Sequence, residues 1–196
     1  MMKKKIVGIG VLTGGAYDTV EIQGIGTALK TLDVNTFRVQ GLFKGGSVRR
    51  AADITVEGEA RIAHCEFAER LLLRGRIRIT GPKPESLSLS GEGQVIADRL
   101  QTGCLSLRGN CRIGSLRAEQ VQIDQPESSA KEKDSVVGEV VCDTLTAYRL
   151  KAKTVTAGQV DLRGACEIEE LICPCVTVSG PECVIRHHVK DPGAAS

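Results

Sequence analysis

The chain has 196 residues, with 26 Lys or Arg against 24 Asp or Glu and an aromatic share of 3% that includes no Trp. Charges this evenly matched give no global drive toward nucleic acid or an acidic partner, and so few aromatics leave little for base-stacking or sugar-binding platforms. No apolar run approaches the roughly 18 residues of a spanning helix.

The first element is Met1-Met2-Lys3-Lys4-Lys5 followed by the apolar run Ile6–Leu12. It has the basic head of a signal peptide, but the apolar run is short, contains Gly8 and Gly10, and is not followed by an A-x-A site,. Lys3, Lys4 and Lys5 ahead of a short apolar stretch predict at most a weak contact with an anionic membrane. Residues 1–13 are read as an N-terminal segment outside the main domain.

From residue 14 a phrase repeats: apolar, any, apolar, any, Gly. Val20-Glu-Ile22-Gln-Gly24 is followed by Phe37-Arg-Val39-Gln-Gly41, Ile54-Thr-Val56-Glu-Gly58 and Leu71-Leu-Leu73-Arg-Gly75. Then come Leu87-Ser-Leu89-Ser-Gly91, Leu105-Ser-Leu107-Arg-Gly109, Val160-Asp-Leu162-Arg-Gly164 and Val176-Thr-Val178-Ser-Gly180. The first six glycines are 17, 17, 17, 16 and 18 residues apart. A fixed period of this length is the signature of a stacked-repeat architecture.

Inside each period the inward candidates advance by alternating steps of two and three. Thr27, Leu29, Leu32, Val34, Phe37 and Val39 follow the rule; so do Cys111, Ile113, Leu116, Ala118, Val121 and Ile123, and again Cys166, Ile168, Leu171, Cys173, Val176 and Val178. A step of two puts both residues on one face of a strand, and a step of three leaves room for a corner. Three strands and three corners make a triangular coil, with Gly at one corner because it takes positive φ without a Cβ clash. A helix would need its apolar residues at i, i+3, i+4 and i+7, and a flat sandwich would show hairpin dipeptides. The expected fold is all-β: a single-stranded parallel β-helix of roughly ten triangular coils of about 17 residues, roughly 45–50 Å long at about 4.8 Å per turn. It spans residues 14–189, with a tail at 190–196.

Three stretches strain the rhythm. Ile77/Ile79, Pro82/Pro84 and Leu87/Leu89 form one coil, whose middle wall is expected to be distorted because Pro cannot donate to a ladder. Ala60/Ile62, Cys65/Phe67 and Leu71/Leu73 require one inserted residue. Asp124–Asp134 is polar and mixed in charge, and the rhythm resumes at Val137. It is read as a corner insertion over 124–135, which a solenoid tolerates at little cost.

Chemistry-bearing residues are sparse. Of the eight cysteines, Cys65, Cys111, Cys142, Cys166, Cys173 and Cys183 fall on inward positions and Cys104 and Cys175 on corners. That pattern predicts small apolar core groups rather than a disulfide framework. Cys166 and Cys183 share one site on consecutive coils, close enough to be joined under oxidation. Cys173, Cys175, Cys183, His187 and His188 make the one ligand-like cluster, with no standard zinc spacing. His64 is expected at a solvated corner. Asp98, Asp143 and Asp161 do not converge, and no nucleophile-elbow, P-loop or metalloprotease motif occurs. The reading is a non-enzyme with no catalytic residue, no cofactor, no metal, no small-molecule substrate and no nucleic-acid partner.

The string Gly15-Ala-Tyr17-Asp-Thr-Val-Glu-Ile-Gln-Gly-Ile-Gly-Thr27, continued by Phe37-Arg-Val-Gln-Gly41, resembles the opening of the repeat array in the bactofilin family, the polymer-forming cytoskeletal proteins of bacteria. The likeness runs from about residue 14 to 185. It implies a right-handed β-helix that self-assembles into nucleotide-independent filaments or a scaffold in the cytoplasm, often at the inner face of the cell membrane. An open solenoid leaves unpaired strand edges at both ends. The residues placed at those ends are Val7, Ile9 and Tyr17 on one side and Cys183, Ile185 and Val189 on the other. A second reading is a monomeric β-solenoid adaptor whose ends are capped and whose flat faces bind a membrane or cell-envelope partner.

Overall fold

The computed structural model describes residues 2–80, 85–125 and 134–190, without side-chain placement at 67 and 85–87. Its elements are β1 (Lys3–Leu12), β2 (Gly15–Ala28), β3 (Leu32–Gly45), β4 (Ser47–Ile62), β5 (His64–Ile79), β6 (Glu85–Asp124), β7 (Ser135–Ala147), β8 (Leu150–Leu162), β9 (Glu167–Ile172), β10 (Cys175–Val178) and β11 (Val184–Val189). Every pairing between them is parallel, and each element pairs with the one a turn away, from β1 to β9 and on to β11, with β10 on β8. The strands run through the corners, so that β6 continues for 40 residues. The chain is an all-β parallel solenoid of about ten turns, as the periodicity predicts.

Each turn has three walls. The wall before the corner glycine stacks Ile22 on Val39, Val56 and Leu73. The wall after it stacks Ala60 on Ile77 and Val95. The third stacks Leu32 on Val48 and Cys65, and further along Val140 on Val155 and Leu171. All of these side chains are buried. Burying an aliphatic side chain is worth about 1.5–3 kcal/mol, and like-on-like stacking keeps each column filled. Phe37 and Phe43, fully buried on two walls, meet edge-on with ring centroids 4.9 Å apart.

The corner glycines set the spacing. At Gly24, Gly41, Gly58, Gly75, Gly93 and Gly109 φ is positive, and a Cβ would stand on the carbonyl oxygen of the glycine one turn below. The ladder therefore begins at Gly8 and passes through Gly93, not Gly91. Gly75 pairs with Gly93, while Gly91 stacks on Leu73 at an inward position. The phrase Ser-Gly91-Glu-Gly93 offers two glycines two residues apart, and local spacing cannot choose between them. The register does, because Leu89 lies over Leu71.

Other positions also move. Thr27 and Leu29 are not inward: Gly26 and Ala28 are, and Leu29 is 69% exposed. The inward phase restarts two residues after the corner glycine. Gly26 occupies its slot without a side chain because Ile22 fills the space, its Cδ1 lying 2.7 Å from where a Cβ would be. On the third wall of β5 the buried partner of Cys65 is Ala68, which stacks on Ala51. The expected Phe67 side chain and the Pro82/Pro84 wall lie outside the described residues. Residues 3–12 are not a separate segment; they form the first turn, with Ile6 on Ile22 and Gly8 on Gly24. The phrase was hidden because Lys4 takes its first apolar place, opposite Val20.

Most of the expected insertion lies outside the described residues; its flanks belong to the stack. β6 ends at Asp124 and β7 begins at Ser135. Ser135 is buried; its Oγ accepts from Cys111 N at 3.2 Å and its own N donates to Arg149 O at 3.1 Å. Asp134 is held by Arg149 at 3.2 Å and Lys151 at 3.1 Å. The chain thus re-enters the stack on a clamped serine–aspartate pair.

Gly41→Ala should lower stability by more than about 2 kcal/mol, since it combines positive-φ strain with a clash against backbone. Gly8→Ala, with φ of +84 and nothing within 4 Å of the added carbon, should lose only about 1 kcal/mol. Urea melts compare the two; equal losses would exclude close glycine stacking as the cause.

Candidate assembly surfaces at the ends of the stack

β1 pairs with β2 alone, and β10 and β11 pair with β8 and β9 alone. Their outer edges carry unpartnered strand backbone among the described residues. At the first turn the inward positions are Lys4, Ile6, Gly10 and Leu12, opposite Val20, Ile22, Gly26 and Ala28. Ile6 and Leu12 are buried, whereas Lys4 is exposed. Val7 and Ile9, expected at the end face, point sideways instead. They stack on Gln23 and Ile25 and are 70% and 83% exposed. Gly8 sits between them at the corner, and the residues flanking a corner glycine both face out. Tyr17 is half-buried against the core on the third wall, where it pairs with Val34 and its Oη donates to Gly14 O at 3.2 Å.

At the other end Cys183 and Ile185 occupy inward positions, Ile185 directly over Ile168, and both are half-buried against the core. Val178 lies over Leu162, also inward, yet is 49% exposed because among the described residues no further strand covers it. Val189 stacks on Ile172 on the outer side, and its carbonyl accepts from Cys173 N at 3.0 Å. His188 lies over Leu171, and its Nε2 donates to Cys173 O at 2.9 Å; His187 faces out over Glu170. The apolar cross-section that sequence reasoning missed is Val176 with Val178. Local spacing gives them as ordinary core; only the register shows that no described strand lies beyond them.

The cysteines are all free thiols. Cys65, Cys111, Cys142, Cys166 and Cys173 are buried, Cys104 and Cys183 half-buried and Cys175 exposed. Burial pushes the thiol up to about 11 at Cys65 and to about 12 at Cys111, Cys142 and Cys166. These groups are protonated core atoms, not nucleophiles. Cys166 and Cys183 are stacked neighbours: Val184 N donates to Cys166 O at 2.7 Å, and the Cys183 thiol to Gly164 O at 2.7 Å.

The remaining candidates do not converge. The Cys173 thiol donates to Cys175 O at 3.0 Å, and among the described residues no group of three or more His, Cys, Asp or Glu is placed to hold a metal ion. His64 is half-buried rather than solvated, with Nε2 3.8 Å from Glu66 and an unpartnered, buried Nδ1. Asp98 and Asp143 are exposed at two different corners, and Asp161 pairs with Arg163 at 2.7 Å on the pre-glycine wall. Among the described residues no helix is long and apolar enough to cross a membrane. No family model matches the chain, and neither a curated protein nor a solved structure does.

Two outcomes follow from the thiols. With oxidised glutathione as oxidant, the first intramolecular disulfide should join Cys166 to Cys183, as read by mass mapping without reductant; another dominant pair would contradict the C-terminal register. The raised thiol pKa values also tie stability to pH. An unfolded thiol ionises near pH 8.5 while the buried one does not, so their contribution is full below that and declines as pH rises toward about 12. Thermal melts in this range should fall more steeply for the native chain than for Cys111→Ala.

Proposed function

We propose that this chain is a structural protein of bactofilin type that self-assembles end to end, without nucleotide, into filaments or a scaffold in the cytoplasm, and that it is not an enzyme. The observation that carries this reading is the C-terminal turn. There Val178 and Ile185 continue the core columns but lie incompletely covered, beside strand edges with no partner among the described residues. Another copy's terminal turn would continue both the ladder and the columns, which is strand addition by a second chain. The in-register stacking inside the molecule supplies the geometry such a joint would use.

One feature favours the alternative of a capped, monomeric adaptor. Lys4 stands at an inward position of the first turn, where a charge discourages a second chain from docking,. Its amine must swing clear, or find a carboxylate, for that end to be used.

Ile185→Arg should abolish filaments in negative-stain images while circular dichroism and melting temperature stay close to native. Filaments that persist would exclude this face as the joint. A native chain that sediments as a monomer at every concentration would select the adaptor.

A further inference from the structure

We infer that the wall following the corner glycine is a docking face for an anionic lipid surface. The near-zero balance of the whole chain conceals a sorting of charge that only the register exposes. On this wall one outward column runs Thr27, Lys44, Arg61, Arg78 and Ile96, then Arg112, Val136 and Lys151. Arg76 stands in the neighbouring column, over Glu59. Six cations, Lys44, Arg61, Arg76, Arg78, Arg112 and Lys151, are all exposed. On the same wall they face Glu59 and Glu167, in register with Arg76 and Lys151, and Asp134 at the Lys151 end. Glu59 bonds Arg61 at 2.7 Å, and the charges of Arg61, Arg76 and Lys44 hold its carboxyl below the usual range. Lys151 is occupied by Asp134. Lys44, Arg76, Arg78 and Arg112 have no carboxylate partner among the described residues. The column from Lys44 to Lys151 covers roughly 29 Å at about 4.8 Å per turn.

The pre-glycine wall lacks this bias. On the pre-glycine wall Lys5 pairs with Glu21 at 3.5 Å, and the corner column Glu57, Arg74, Glu92 alternates in sign.

The same basic wall carries aliphatic side chains at its first-turn end. Ile9, Ile25 and Leu42 stack in one column, with Val11 beside them, and Ile9, Ile25 and Val11 are exposed. A flat face with cations along its length and aliphatics at one end matches anionic headgroups with shallow insertion of the apolar end. A nucleic acid would use aromatic stacking side chains, and none of the residues named on this wall is aromatic. Lys5 of the N-terminal lysine cluster is paired with Glu21, and this wall offers four cations without a carboxylate partner among the described residues. The inference goes beyond the proposed assembly and rests on the solenoid register, not on the joint between copies.

Co-sedimentation of the full chain with phosphatidylglycerol–phosphatidylcholine vesicles and with pure phosphatidylcholine vesicles tests it. Binding should require phosphatidylglycerol and weaken as salt rises. Arg76→Glu with Arg78→Glu should reduce affinity at least roughly tenfold. Arg38→Glu with Arg117→Glu, an equal charge change on the two other walls, should leave it within about threefold. Ile9→Gln gives a smaller loss in the same direction. No vesicle binding, equal loss in the two double variants, or retention by single-stranded RNA in place of vesicles would overturn the proposal. Ile185→Arg run in parallel separates the two readings. Its filaments report the joint and its vesicle binding reports the wall, so either can fail while the other stands.

Discussion

The close approach of one backbone turn to the next at the corner glycines governs the whole molecule. From Gly24 to Gly109 each of these glycines leaves no room for a Cβ above the carbonyl below it. Only glycine can hold positive φ there without strain. Because the corners stack directly, the walls between them stack in register, and every inward column becomes a continuous apolar file. Where the period drifts, as between Gly75 and Gly93, the core registers it at once: Gly91 takes an inward slot that larger residues fill on the turns around it.

The outside is organised by the same constraint. A column of outward side chains stacks as tightly as a column of inward ones, so each charge has its nearest non-local neighbours fixed by the turn above and the turn below. Gln23, Gln40 and Glu57 form a hydrogen-bonded file, with Gln40 Nε2 donating to Glu57 at 3.0 Å. Glu57 and Arg74 are in register, but Gln40 is the residue that engages Glu57. Such surface pairs contribute only about 0–1 kcal/mol each. Their main consequence is spatial: one wall is left with an excess of cations, while the pre-glycine wall alternates them with carboxylates.

The ends follow from the stacking too. Each internal turn buries its neighbours, so the first and last turns are the places where core columns stop. Among the described residues one end stops on Val178 and Ile185, the other on Ile6 and Leu12 with Lys4 beside them. This asymmetry underlies both functional readings, since a thin apolar end invites another copy and a lysine in an inward slot resists one.

Much of the fold was legible in the sequence because the signal is local and repeated. The glycine phrase, the two-and-three rhythm and the inward placement of five buried cysteines all depend on residues within a few positions of one another. The candidate ends were less legible. Val7 and Ile9 read as end-face residues because they are apolar, yet alternation about Gly8 turns them sideways. The intact phrase gives Val178 as core, yet among the described residues no strand covers it. The first turn is hidden in the sequence because Lys4 breaks its phrase. Local pattern thus determined that this chain winds into a three-walled parallel stack. Which residues of different turns lie side by side, and hence where charge gathers and where the stack ends, was decided by register between segments far apart in the chain, which no short window of sequence contains.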